Sequence, residues 1–172
     1  MRIVILGAGG FGQTAGDAAE QCGLFSEVCY LDDGTPKGVR LLGRCSDFSN
    51  FIDDGTAFLP AVGDNALRLE WLDRLSQAGA AIATVIHPRA YVSPRASLGE
   101  GSILLPMALV NTGTSIGRGC IINCGAMVDH GCVIEDGCHI CLGAIVKGGN
   151  RIKALTKVEA GIVIERGAFP VQ

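Results

Sequence analysis

The sequence predicts a Rossmann-like α/β half domain over residues 1–85, followed by a parallel β-helix of hexapeptide repeats over residues 86–172. Three observations lead there. A G-x-G-x-x-G turn (Gly7, Gly9, Gly12) stands between an apolar run and a helix-like segment. Strand-like and helix-like segments then alternate, the pattern of a small parallel sheet. Finally, from Ile86 to Ile164 an aliphatic residue recurs at every sixth position, fourteen times without a miss. Six is neither a helix period nor a strand alternation. It marks a solenoid in which each hexad supplies one short strand and one corner.

The N-terminal elements follow in order. RIVIL (2–6) reads as a buried strand and is followed by GAGGFG and a helix from about Phe11 to Cys22. EVCYL (27–31) is a second strand, ending at Asp32 and Asp33. Ser46 is placed to cap a short helix reaching Ile52. TAFLPAV (56–62) is a third strand, and Asp64 caps a helix running to Gln77 with Leu67, Trp71, Leu72 and Leu75 as its apolar stripe. AIATVI (81–86) is a last strand leading into the repeat.

In the repeat, a mostly small residue lies four places after each aliphatic (Ala90, Ala96, Ser102 and onward), and both columns point inward. Glycine recurs three places after the aliphatic, as at Gly101, Gly119 and Gly137, and suits a corner with positive φ. Leu155 interrupts that column. Three hexads make one triangular coil, and coils stack about 4.8 Å apart.

Composition narrows the function. The chain has 172 residues, a net charge of −3 and 48% hydrophobic residues, with no basic patch suited to nucleic acid. The opening MRIVILGAGG is too short and glycine-rich for a signal peptide, and no apolar run reaches membrane-spanning length, so a cytoplasmic protein with no membrane partner is expected. Eight cysteines include no Cys-x-x-Cys pair. Cys120, Cys132 and Cys138 occupy the small inward column, so they read as buried small hydrophobes and no metal is expected.

Two groups of residues carry chemistry. The glycine turn opening a helix, with an acidic pair about twenty residues later, is a nucleotide-binding fingerprint. Half a dinucleotide fold suits a mononucleotide or one diphosphate better than NAD, and Lys37 is placed to meet a phosphate or base carbonyl, or simply solvent. The second group lies in the repeat. His130 falls at an outward position, Asn123 precedes it by seven residues, and His139 follows by nine. An imidazole there suits a general base for an amine or hydroxyl nucleophile. It is equally a tolerated surface residue.

The GAGGFG opening, the Asp32–Asp33 pair, the N-x6-H spacing of Asn123 and His130, and the second histidine at His139 together resemble the sugar O-/N-acyltransferases related to sialic acid O-acetyltransferase and the bacillosamine-pathway N-acetyltransferase. The resemblance covers about residues 1–150. It implies a left-handed β-helix, a homotrimer with sites between neighbouring β-helices, and acetyl-CoA as cosubstrate. It implies His130 as base, and Asn123, placed to hold substrate across that inter-subunit cleft, joins it in the catalytic group. It places His139 and Gly148 along the acetyl-CoA site, and Gly9, Gly10, Phe11, Asp32, Asp33 and Lys37 in the site for a UDP-sugar or related acceptor.

Two departures stand out. Family members commonly carry an acid directly after the base; here that position is Gly131, and Asp129 precedes His130 instead. In a strand Asp129 would face away from His130, whereas a corner leaves it free to help. The family also continues for further coils, whereas here the hexads stop near Gly167 and AFPVQ follows, so a shortened, altered or absent donor groove is expected, with the tail folding over the last coil. The leading expectation is direct acetyl transfer to a nucleotide-linked sugar by a His base. The alternatives are a nucleotide-sugar-binding homologue without transfer and, on the glycine motif alone, an NAD-dependent enzyme. Acetyl-CoA binding separates the first two.

Overall fold

The computed structural model describes residues 1–171. The N-terminal sheet is fully parallel, with order β3-β2-β1-β4-β5, formed by β1 (Arg2–Leu6), β2 (Glu27–Leu31), β3 (Leu41–Gly43), β4 (Thr56–Pro60) and β5 (Ala81–Ile82). Ile3, Val4, Ile5 and Leu6 are all buried, since helices cover both faces of a parallel sheet. Helix α1 (Gly10–Gln21) follows the glycine turn, and α2 (Asn65–Gln77) starts at Asp64, whose Oδ1 accepts from the Leu67 N–H at 2.8 Å.

Four local expectations need correction. Strand β3 was unforeseen, because an exposed three-residue LLG carries no pattern. The short helix is a 3-10 segment, Cys45–Phe51, whose N-cap is Arg44 rather than Ser46; the Asp47 carboxylate accepts from the Arg44 N–H. Leu67 lies exposed, and the buried face of α2 is instead Arg68, Trp71, Leu72 and Leu75. Residues 81–86 form two strands, because Ala81–Ile82 pairs with β4 while Val85–Ile86 pairs with Ile103–Leu104 of the repeat.

The repeat winds into a parallel β-helix with three faces, each strand pairing with residues 18 positions away. The aliphatic and small columns fill its interior, with Leu104, Val110, Ile122, Val128, Ile140 and Val146 fully buried. Cys120, Cys132 and Cys138 sit there too, and all eight cysteines are free. The thiols behave as small polar hydrophobes: Cys120 Sγ donates to the Glu135 carbonyl at 3.2 Å, as Thr114 Oγ1 does to that of Asp129.

The three faces differ in what covers them. The face made by Val85, Ile103, Ile121, His139 and Lys157 lies against the N-terminal part, so Val85, Ile103 and Ile121 are fully buried. A second face presents Ser97, Ser115, Val133 and Arg151. The third presents Tyr91, Leu109, Met127, Ile145 and Val163, with Tyr91 54%, Met127 41% and Val163 43% exposed. It is apolar and uncovered.

Helix α2 rides on one corner ladder. A Cβ at Gly101 or Gly119 would lie 2.5–2.6 Å from Leu72, and one at Gly137 2.9 Å from Leu69. Glycine is needed there both for φ near +60° to +70° and for the helix to approach. Where the glycine column lapses, Met107 and Leu155 still take φ near +60°. The residues after the last hexad fold back antiparallel to 149–151: the Arg151 N–H donates to the Phe169 carbonyl at 2.6 Å and the Val171 N–H to that of Gly149 at 3.0 Å.

Candidate active site

The glycine loop is open where a ligand needs room. Gly7 takes φ +100°, and a Cβ at Gly12 would lie 2.0 Å from the Gly7 carbonyl oxygen, so both serve the tight turn. Gly9 and Gly10 have nothing within 4 Å of an added Cβ. Gly9 caps α1 without a side chain, which leaves the first-turn N–H groups facing outward. Asp32 organises this loop: its Oδ2 accepts from the Ala8 N–H at 2.6 Å and its Oδ1 from Gly34 at 2.7 Å. Asp33 Oδ1 accepts from Cys45 at 3.2 Å, and Lys37 is exposed in the loop between β2 and β3.

Phe11, on the first turn of α1, reaches the β-helix. Its ring lies 6.2 Å from that of His139, tilted by 43°. His139 is 8% exposed, and its Nε2 lies 3.0 Å from Asn123 Nδ2. Burial, helped by the positive fields of Arg68 and Lys157, pushes its pKa down to about 4, so the ring is neutral. The Asn123 partner is therefore His139, not His130.

His130 sits at the corner between the apolar and the serine-bearing faces, half exposed. Its Nδ1 lies 2.9 Å from Asp129 Oδ1 and its Nε2 2.9 Å from Arg166 Nη2. A carboxylate only accepts and a guanidinium only donates. The two bonds together therefore require a neutral ring with its proton on Nδ1 and its lone pair on Nε2. Asp129 also accepts from Asn111 Nδ2 at 3.1 Å and, through Oδ2, from the Gly148 N–H at 3.2 Å. Partial burial works against its ionisation, but the His130 and Asn111 hydrogen bonds outweigh it and lower the carboxyl pKa. The corner thus breaks strand alternation and puts Asp129 on the imidazole. Gly148, one coil beyond His130, packs on the ring: its Cβ would lie 2.9 Å from Cε1 and 3.0 Å from Nε2.

Sequence reasoning missed Arg166, although the signal was present: it lies 36 residues, two coils, past His130 in the same column. Asn123 and His130 occupy opposite edges of the apolar face, one corner before and one after Met127–Val128. Among the described residues no group of His, Cys, Asp and Glu is arranged to hold a metal, and no helix is long and apolar enough to cross a membrane. A cavity of about 640 Å³ under the tail is lined by Ile152, Thr156, Phe169 and Pro170, and by none of these site residues.

Comparison with known proteins bears on this arrangement. Residues 2–75 match the PglD N-terminal domain family. The whole fold superimposes on the acetyltransferase domain of PglB from Neisseria gonorrhoeae FA1090 with a TM-score of 0.90 and 31% identity, covering 94% of this chain and 81% of that one. This chain belongs to the sugar acyltransferase family. Its β-helix is left-handed, as in those structures. PerB from Caulobacter crescentus, solved with CoA and GDP-perosamine, matches at 30% identity and a TM-score of 0.82, over 96% of this chain and 89% of that one. A UDP-N-acetylbacillosamine N-acetyltransferase from Bacillus subtilis (strain 168) is 31% identical over 60% of this chain. The chain spans about half the length of that curated relative.

Proposed function

We propose that this family member transfers the acetyl group of acetyl-CoA to the amine of a nucleotide-linked amino sugar, directly and with His130 as general base. The observation that carries this is the Asp129–His130 pair, with its lone pair on Nε2. The reaction needs no covalent enzyme intermediate. The amine nitrogen attacks the thioester carbonyl, its proton passes to His130 Nε2, the tetrahedral adduct collapses, and the C–S bond breaks to release the thiolate, which takes the proton from the imidazolium and restores the base. Asp129 holds the ring and stabilises the imidazolium formed on the way. Arg166 must leave Nε2 as the amine arrives. Gly148 leaves room for the imidazole itself and lies with it on the donor side, with His139 further along the donor groove. Gly9, Gly10 and Phe11, with Asp33 and Lys37, form the nucleotide-sugar side, and Asp32 shapes that loop.

Two solved neighbours support the donor and acceptor chemistry. The gonococcal acetyltransferase domain has been solved with acetyl coenzyme A, and perosamine N-acetyltransferase with CoA and GDP-perosamine. Two of the perosamine N-acetyltransferase structures carry a replaced histidine.

The reading also proposes a homotrimer. His130 and the Phe11–His139–Asn123 group lie at opposite edges of one apolar face. A closed head-to-tail ring buries that face and brings His130 of one copy to the glycine loop of the next. The site is then complete only between copies.

The deciding test is calorimetric titration with acetyl-CoA, with UDP and GDP titrated separately, followed by turnover of UDP- and GDP-amino sugars by wild type and His130→Ala. Saturable acetyl-CoA binding and turnover that His130→Ala abolishes are expected. Nucleotide binding without acetyl-CoA binding would instead favour a non-catalytic sugar-nucleotide binder, and unchanged turnover in His130→Ala would remove His130 as base.

A further inference from the structure

His139 carries an unsatisfied donor in a buried place. Asn123 Oδ1 accepts from the Cys124 N–H at 2.8 Å, and this fixes which way round the amide lies. Its NH2 therefore faces His139 Nε2, 3.0 Å away, and Nε2 must accept. The neutral ring then holds its proton on Nδ1. That atom is buried and, among the described residues, has no hydrogen-bond partner. A buried N–H without a partner is costly, and such groups are rare in folded proteins unless something else satisfies them. Beside it lies Phe11, at the open glycine turn.

We infer that Asn123 is a positioning residue that locks His139 as an Nδ1–H donor, and that this N–H binds an oxygen acceptor of an incoming substrate. The role differs from holding substrate directly. It also makes the site selective in polarity: it takes a carbonyl or hydroxyl oxygen and refuses a donor. Two sources offer that oxygen, an amide carbonyl of the pantetheine arm and a ring substituent of the acceptor sugar. The inference rests on the acetyltransferase reading for the ligand, but the tautomer is a property of the free protein.

The test uses the whole 172-residue chain labelled with 15N-histidine. Only three histidines contribute, so long-range 1H–15N spectra assign readily with a His139→Phe control. Wild type is expected to show His139 as the Nδ1–H tautomer. Asn123→Asp should flip it to Nε2–H at alkaline pH, because a carboxylate accepts only. Acetyl-CoA and UDP-N-acetylglucosamine are then added in turn. The probe that shifts the Nδ1 signal identifies the source of the oxygen. His139→Phe keeps the ring packing and should weaken that probe about tenfold, while His139→Asn, which keeps an N–H near the Nδ1 position, should restore most of it. An Nε2–H tautomer in wild type overturns the inference, as does an unaltered tautomer in Asn123→Asp. Acetyl-CoA that binds by calorimetry without moving Nδ1, together with no response to the sugar nucleotide, overturns the ligand half while leaving acetyl transfer standing. Failure of acetyl-CoA to bind at all counts against the acetyltransferase reading, and the tautomer result still decides the lock.

Discussion

Replacing Gly148 by alanine should disable the base without harming the fold. The added Cβ lies 2.9 Å from His130 Cε1, 3.0 Å from Nε2 and 3.1 Å from Arg166 Nη2. Ordinary carbon contacts begin near ~3.5 Å. The imidazole must therefore move by about 0.5–1 Å, and it can, because it is the half-exposed end of a side chain. Stability is spared: φ at Gly148 is not positive, so alanine takes the same backbone and even gains up to about 1 kcal/mol from a stiffer unfolded chain. Catalysis is not spared. Misplacement of a reacting group by about 1 Å costs roughly 10²-fold, so kcat should fall about 10- to 100-fold with Tm unchanged or slightly raised. Gly149→Ala is the matched control. Its Cβ meets nothing within 4 Å, but φ is +73°, which costs about 1–2 kcal/mol. It should lower Tm and leave kcat nearly intact. The assay is thiol release from acetyl-CoA with a nucleotide-amino sugar, beside thermal unfolding of both variants. Wild-type kcat in Gly148→Ala, in a protein that folds, would show that the ring position beside Gly148 is not the reactive one.

Three more outcomes follow from the same geometry. Asp129→Asn should lower kcat by about 10²–10⁴-fold with little change in Tm, because an amide no longer enforces the proton on Nδ1; a loss below tenfold would mean Arg166 alone sets the tautomer. Met127→Lys, in the middle of the apolar face, should give a monomer by light scattering and abolish transfer; a stable trimer would place the interface elsewhere. The third concerns pH. The His139 pKa falls from 6.5 to about 4 on folding, so the unfolded chain takes up a proton first as pH drops. Stability is therefore full above about pH 6.5 and declines toward pH 4, by up to about 3 kcal/mol at ~1.4 kcal/mol per pH unit. Unfolding measured across that range should show the decline in wild type and not in His139→Phe; equal slopes would rule out a buried neutral ring.

The strict period made the solenoid readable, since no insertion disturbs it and each residue's face follows from its place in the hexad. Ile122, Val128 and Ile140 lie inward as expected, and the cysteines of the small column lie with them. The side-chain pairings across coils were harder to see. Asn123 meets His139 because His139 stacks on Ile121, and that contact appears only once 18-residue stacking is applied to polar residues as well. Asp129 reaches His130 because a corner, unlike a strand, puts neighbours on one side. Strand β3 and the switch of sheets at 83–84 left no sequence signal, because short, partly exposed segments take their conformation from what they pair with.

The height of the N-terminal α/β part along the β-helix is set by a buried cation. Arg68 is fully buried in α2, yet among the described residues no carboxylate pairs with it. Its Nε donates to the Gly119 carbonyl at 2.7 Å, and its Nη2 to that of Gly137 at 2.9 Å and to Asn65 Oδ1 at 2.8 Å; Nη1 donates to the Val62 carbonyl at 2.9 Å. Burial pushes its pKa down to about 10, which still leaves it charged at neutral pH. A carboxylate would offer stronger pairing but no register. Gly119 and Gly137 stand 18 residues apart, on consecutive coils, so a planar guanidinium that satisfies both carbonyls fits at one height only. Helix α2 and the sheet it packs on are then fixed relative to the repeat. Phe11, carried on that sheet's first helix, arrives over His139 rather than a coil above or below. The glycine loop thus meets the coil whose buried His139 Nδ1 has no partner among the described residues, and the proposed site draws on the small α/β part as well as on the β-helix.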